Sequence, residues 1–244
     1  MSRESAVHDV AGRGELNVTF DAVVFDLDGT LLDTIEDLAD SMNAVLESLG
    51  CPAHGVDAYK RFVGDGVVEL VRRALPAERR DDATVKHGEK ALPEEYARRW
   101  ADKTRPYEGV PELLDALTKR GVIMAVLSNK IDEFTRLCVG RLLPDWKFAA
   151  VVGAGPDVPL KPDPTGALEV ARRLGVPPEG FLYLGDTDTD MQTAARAGMY
   201  AVGALWGFRT AEELEGAGAR ALAATPMDVY ALLDGAAAGR TASC

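Results

Sequence analysis

Cysteine is scarce in this chain. Cys51, Cys138 and Cys244 stand far apart with no CxxC pair, which gives neither a cysteine-based metal signature nor a disulfide framework. Cys138 lies in an apolar helical pattern and reads as a packing residue. Cysteines so few and scattered fit a reduced, cytoplasmic setting. Long hydrophobic runs are missing too. No stretch approaches the roughly 18 apolar residues of a membrane span. The opening MSRESAVHDVAGRGELNVTF carries charges throughout and lacks the apolar core of a signal peptide. Positive charge is also in short supply: 27 Lys and Arg against 39 Asp and Glu leave a formal net charge of −12. Such a surface repels phosphate backbones, so nucleic acid is not an expected partner. The same field repels an anionic substrate unless the site supplies a local cation.

What the chain does have is an alternation of strand-length apolar runs and amphipathic segments. Its 244 residues are enough for one large α/β domain or a domain plus a smaller insert. The runs are AVVFDLDG (22–29), VIMAVLSNK (122–130), FAAVVGA (148–154), FLYLGD (181–186) and YAVGAL (200–205). They are nearly continuous in apolar residues, as suits parallel strands buried on both faces. Between them PELLDALTKRG (111–121), DPTGALEVARRLG (163–175) and DTDMQTAARAG (188–198) carry helix start and stop signals, with Asp163 as an expected cap. The order β-α-β-α predicts a doubly wound parallel sheet with right-handed crossovers.

The gap from about Asp33 to Arg105 is too long for an ordinary crossover. It holds helical patterns rather than strands: TIEDLADSMNAVLESLG, GDGVVELVRRALP and PEEYARRWADK. This is expected to be a helical insert over the end of the first strand, where loops usually carry the chemistry. A decorated crossover without function is the competing reading. The expected organisation is a flexible arm (1–18), a core (19–32 and 106–235), a helical cap (33–105) and a flexible tail (236–244).

Ligands of open α/β sheets bind beyond the carboxyl ends of the strands. The polar residues at those ends are Asp26, Asp28, Gly29 and Thr30; Ser128 and Asn129; Lys161; and Asp186, Asp188 and Asp190. Each alone has a bland alternative, a turn, a helix cap or a solvated lysine. Together they form a set suited to Mg²⁺ and a phosphoryl group. Asp26 and Asp186 offer hard oxygen ligands, Ser128 and Asn129 neutral donors, Lys161 a compact positive charge, and Gly29 close backbone approach.

FDLDGTLLDT, VLSNK, LKPDP and YLGDTDTD resemble, in order, the four motifs of the haloacid dehalogenase superfamily of phosphohydrolases, over roughly Asp21 to Leu233. The resemblance implies a Rossmann-like α/β core with an all-helical cap. It implies that Asp26 is a nucleophile forming an aspartyl-phosphate and Asp28 the general acid/base. Mg²⁺ is then expected between Asp26, the backbone carbonyl of Asp28 and Asp186, with Asp190 as a further or outer ligand. Ser128, Asn129, Gly29 and Thr30 are expected around the phosphoryl group, with Lys161 balancing the carboxylates. Asp28 and the acidic fourth motif favour phosphate over carbon–halogen chemistry. Asp188 is left with helix capping.

FVGDGVVELVRRAL (62–75) and LWGFRTAEEL (205–214) resemble the cap motif and tail of phosphoglycolate phosphatases. Gly64 and Gly66 open a helix whose N-terminus could hold an anion, although Asp65 disfavours one there. Lys60, Arg61, Arg72 and Lys130 are candidate partners for a substrate carboxylate. The expected substrate is 2-phosphoglycolate; pyrophosphate, nucleotides and sugar phosphates stay open. So do a β-phosphoglucomutase-like phosphotransferase and a receiver-like signalling module, although Asp28 and the insert speak against the latter. The expected partner is a small phosphorylated metabolite, with no nucleic acid and no membrane, for a monomer or homodimer.

Overall fold

In the computed structural model of the chain, which describes residues 8–9 and 20–238, the apolar runs become five strands of one sheet. In chain order the strands are β1 (His8–Asp9), β2 (Ala22–Phe25), β3 (Leu32–Asp33), β4 (Arg105–Pro106), β5 (Ile123–Ile131), β6 (Ala150–Ala154), β7 (Phe181–Gly185), β8 (Tyr200–Ala204) and β9 (Ala221–Ala223). The helices are α1 (Ile35–Ser48), α2 (Val56–Phe62), α3 (Val67–Ala74), α4 (Asp82–Arg99), α5 (Val110–Arg120), α6 (Asp132–Leu142), α7 (Thr165–Leu174), α8 (Asp188–Ala197), α9 (Ala211–Gly216) and α10 (Pro226–Ala238). The main sheet runs β1-β9-β8-β7-β2-β5-β6, parallel except where β1 pairs antiparallel with β9.

Strand burial on both faces explains the unbroken apolar runs. Val23 and Phe25 of β2 point into one layer with Leu113, Leu114 and Leu117 of α5 and Leu232 of α10. Ala22 and Val24 point into the other, with Val170 of α7 and Met191 of α8. β2 lies between β5 and β7, with Phe25 opposite Val126 on one side and Leu184 on the other. This register brings the ends of the three strands level, so Asp26, Ser128 and Asp186 emerge at one sheet edge.

The insert's helices α1–α4 form an apolar cluster of their own. It is built from Leu38, Met42, Leu46, Tyr59, Val71, Leu92 and Tyr96, and Phe134 of α6 reaches into it. α4 begins eleven residues before the expected PEEYARRW segment, with Asp81 accepting from Thr84 N at 3.0 Å as its cap. Pro93 therefore lies inside the helix rather than at its first turn. The segment before it, Asp82–Leu92, is mostly polar, so apolar periodicity gave no sign of it.

The gap is not purely helical as expected. The chain enters and leaves the insert through a two-stranded ribbon, with Leu32 opposite Pro106 and Asp33 opposite Arg105. Asp37 locks this root: its carboxylate, wholly buried, accepts from Lys103 N, Thr104 N and Thr104 Oγ1 at 2.7–3.1 Å. A buried carboxylate with that many donors ties the insert's last residues to its first helix. Of the expected arm, only His8–Asp9 is described, as β1; the rest lies outside the described residues. α10 runs to Ala238, and the remainder of the expected tail also lies outside them. Among the described residues no helix is long and apolar enough to cross a membrane.

Candidate active site

Three carboxylates converge where β2 and β7 end. One oxygen each of Asp26, Asp186 and Asp190 lies within 4.8 Å of the others, and all three residues are buried. Lys161, arriving from the loop after β6, stands among them, with its Nζ 2.6 Å from Asp190 Oδ1 and 2.8 Å from Asp26 Oδ1. Asp26 Oδ1 has this ammonium as its partner and no other hydrogen bond.

The electrostatics follow from three buried anions facing one ammonium. Burial, then the charge of Asp190, pushes the Asp26 carboxyl up to about 7 against the pull of Lys161. Burial and the charge of Asp26 hold Asp186 well above the ordinary carboxylate range. For Lys161, burial opposes the charge, but Asp190 and Asp26 override it and keep the ammonium form. The surplus negative charge and the all-oxygen donor set fit a small hard divalent cation such as Mg²⁺.

Each carboxylate is aimed by its surroundings. Asp186 accepts from Thr30 Oγ1 and from Phe208 N, both at 2.9 Å. Asp190 belongs to the capping box of α8, accepting from Thr187 Oγ1 at 2.6 Å and Thr187 N at 3.1 Å. The cap of this helix is thus Thr187. Asp188, expected in that role, is half-exposed and lies 3.5 Å from Arg209 Nε. Likewise α7 is capped at Pro164, while Asp163 accepts from Thr165 N at 2.8 Å.

Gly29 has φ +89°, and a side chain there would collide with the Asp186 carboxylate and the Phe208 ring. Gly29→Ala is expected to destabilise the fold by about 1–3 kcal/mol through backbone strain, before the collision is counted. Chemical denaturation would measure this, and an unchanged midpoint would show that the turn tolerates a side chain.

Asp28 is not part of the acidic cluster, although it lines the same cavity as Asp26. Both its oxygens accept from Lys130 Nζ at 3.0 Å. The Lys130 ammonium also sits 4.4 Å from the ring centroid of Tyr96, a residue of α4. Burial opposes the Lys130 charge, but Asp28 and Tyr96 overcome it and hold the ammonium above its ordinary range.

A cavity of about 80 Å³ joins these groups. Asp26, Asp28, Ser128, Asn129, Lys130 and Lys161 line its floor. Its roof is apolar, with Leu38, Val63, Val67, Leu70, Leu92 and Tyr96 from the insert and Phe208 from the core. Gly64 and Gly66 complete the wall.

The other residues singled out in the sequence divide between this cavity and the surface. Thr30, expected at the phosphoryl group, gives its hydroxyl to Asp186 instead. The side-chain amide of Asn129 donates to Gly64 O and Lys161 O at 2.9 and 3.0 Å and accepts from Lys161 N at 2.8 Å, so it braces two loops. Ser128 Oγ accepts from Lys130 N at 3.3 Å and remains beside Asp26 on the cavity floor. Of the candidate cations only Lys130 faces the cavity. Lys60 pairs with Asp57, Arg61 with Glu213 and Arg72 with Glu69, all at the surface.

Sequence reasoning did not single out Phe208, Tyr96 or Arg209. Phe208 and Arg209 lie within the LWGFRTAEEL segment, whose resemblance assigns no role to any single residue.

Comparison with known proteins agrees with this geometry. The sequence profile of the haloacid dehalogenase-like hydrolases matches residues 23–204. The chain belongs to that family. It is 36% identical over 223 residues to the phosphoglycolate phosphatase of Pseudomonas putida, spanning 88% of this chain and 79% of the relative. It is 33% identical over 186 residues to the phosphoglycolate phosphatase of Aquifex aeolicus, spanning 76% and 85%. A crystal structure from Lactobacillus delbrueckii subsp. bulgaricus matches the fold with a TM-score of 0.82 at 30% identity, covering 88% of this chain and 99% of that one. The chain is an enzyme, a phosphoric monoester hydrolase resembling phosphoglycolate phosphatases in sequence.

Proposed function

We propose that the chain is a Mg²⁺-dependent phosphatase working through an aspartyl-phosphate on Asp26, with 2-phosphoglycolate as preferred substrate. One observation carries the reading: the buried Asp26, Asp186 and Asp190 cluster around Lys161, with Asp26 and Lys161 also lining a small cavity beneath the insert. Asp26, the carbonyl of Asp28 and Asp186 would hold the Mg²⁺, with Asp190 beyond them, and the ion would neutralise charge on the phosphoryl oxygens.

Phosphoryl transfer asks the protein mainly for positioning and charge balance. The Asp26 carboxylate attacks phosphorus, the bond from phosphorus to the ester oxygen breaks, and Asp28 in its carboxylic acid form gives that oxygen a proton. The alcohol leaves. A water then attacks the aspartyl-phosphate while Asp28 takes its proton, and Asp26 is regenerated as phosphate departs. Ser128 and Lys161 steady the phosphoryl group. The apolar roof excludes bulk water, which strengthens each of these interactions.

The choice of substrate rests on the named relatives and on the cavity wall. Phosphoglycolate needs one cation for its carboxylate, and Lys130 is the cation beside Asp28 that lines the cavity. A sugar phosphate needs hydrogen-bonding groups for several hydroxyls, and the roof is apolar apart from the Tyr96 hydroxyl. This disfavours the phosphotransferase alternative. A cytoplasmic location belongs to the same proposal, in line with the buried free thiols of Cys51 and Cys138.

The test is a panel of phosphate esters assayed with Mg²⁺. Phosphoglycolate should have the highest kcat/KM, and Lys130→Ala should narrow its lead over an ester lacking a carboxylate. Another ester turned over about tenfold better, or roughly 1.4 kcal/mol of transition-state discrimination, would refute the assignment.

A further inference from the structure

The turn after β8 joins the acidic cluster to the insert within four residues. Trp206 Nε1 donates to Thr30 O at 2.9 Å. Gly207 packs so closely on Asp186 that a side chain there would overlap it. Phe208 N donates to Asp186 Oδ2 at 2.9 Å, and Phe208 itself forms part of the cavity wall. Arg209 reaches the other way. Its Nη1 donates to Lys60 O at 2.5 Å and its Nη2 to Val63 O at 3.2 Å, while its side chain is about nine-tenths buried.

Lys60 O and Val63 O belong to the last turn of α2 and the residue that ends it. Carbonyls there lack helical partners, and a planar guanidinium can hold two of them in fixed geometry. Directly beyond Val63 run Gly64 and Gly66 of the cavity wall. The core also pins that segment at two further points, through Asn129 Nδ2 on Gly64 O at 2.9 Å and Thr189 Oγ1 on Asp65 Oδ1 at 2.8 Å.

We propose that Arg209 is a positioning residue that seats the 60–66 segment over the site and couples this seating to the orientation of Asp186 through the Trp206–Arg209 turn. Lifting the insert breaks both carbonyl contacts and frees the residue adjacent to the Phe208 amide. The loss would loosen the donor that aims Asp186. Conversely, a cation held by Asp186 steadies the turn and hence the segment. The inference rests on the phosphatase reading only for the place of Asp186 in the metal site.

The test is backbone hydrogen exchange on the full-length chain, without metal, for wild type, Arg209→Lys and Arg209→Ala. Amides within residues 60–66 should exchange at least about tenfold faster in Arg209→Ala, while those of β5 and β7 keep their wild-type rates. Arg209→Lys keeps the charge but loses the fork, and should fall between. The Mg²⁺ concentration that half-saturates the thermal shift should rise by about tenfold in Arg209→Ala, the scale on which partners of metal ligands act. Unchanged exchange in 60–66, or an unchanged Mg²⁺ requirement, overturns the inference. If Arg209→Ala does not fold, Arg209→Lys decides by the same two readouts. Neither readout needs turnover, so a chain that hydrolyses no phosphate ester defeats the phosphatase reading without deciding this one.

Discussion

Asp26→Asn is expected to lower phosphate-ester turnover by about 10⁴-fold or more, the scale of losing a covalent nucleophile. An amide oxygen in that position cannot form the aspartyl-phosphate. The substitution has a second effect of opposite sign. It removes one of three crowded buried carboxylates, so the metal-free variant should melt above wild type at pH 8. Loss of turnover with a raised melting temperature separates lost chemistry from lost folding. Phosphate release and thermal melts measure the two effects. Turnover within about tenfold of wild type would remove Asp26 as nucleophile.

The convergence of the candidate groups is legible because a parallel sheet gathers them by topology. Asp26, Ser128, Lys161 and Asp186 are far apart in sequence, yet each lies in the C-terminal half of a strand or beyond its end, and parallel strands bring their ends to one edge. Roles that depend on side-chain direction were less legible. Thr30 and Asn129 look like phosphate donors because they neighbour reactive residues. Their hydrogen bonds instead go to Asp186 and to the loops at Gly64 and Lys161. A partner 156 residues away leaves no local trace.

The insert shows the same limit. Its basic residues were equivalent on paper, since nothing in local periodicity says which face of α2 or α3 meets the core. Arg72 faces solvent with Glu69, whereas Lys130, contributed by β5 of the core, lines the cavity against Tyr96. The polar first half of α4 was missed because an amphipathic pattern was the signal sought, and Asp81 capping is a weaker one.

Removing divalent metal should abolish turnover and make stability depend on pH in a direction fixed by the acidic cluster. The ordinary value for Asp26 is 3.8, and burial beside Asp190 raises it to about 7 in the folded chain. Between those values the folded state holds a proton that the unfolded state has released. Stability of the metal-free chain therefore falls as pH rises from about 4 to about 7, and the deficit persists above that range. Asp186, raised for the same reasons, acts in the same direction.

The deficit is on the order of a few kcal/mol, which for a domain of this size is several degrees in melting temperature. The surface carboxylates held low by neighbouring arginines, such as Glu169, oppose it only weakly because solvent screens them. Mg²⁺ binds the ionised carboxylates, so protons compete with it. Saturating Mg²⁺ should accordingly raise the melting temperature by several degrees at pH 8 and by much less at pH 5. The measurement is a pair of melts with chelator and with Mg²⁺ at each pH. An equal shift at both pH values, or no shift at pH 8, would mean that Asp26 and Asp186 do not hold a cation together.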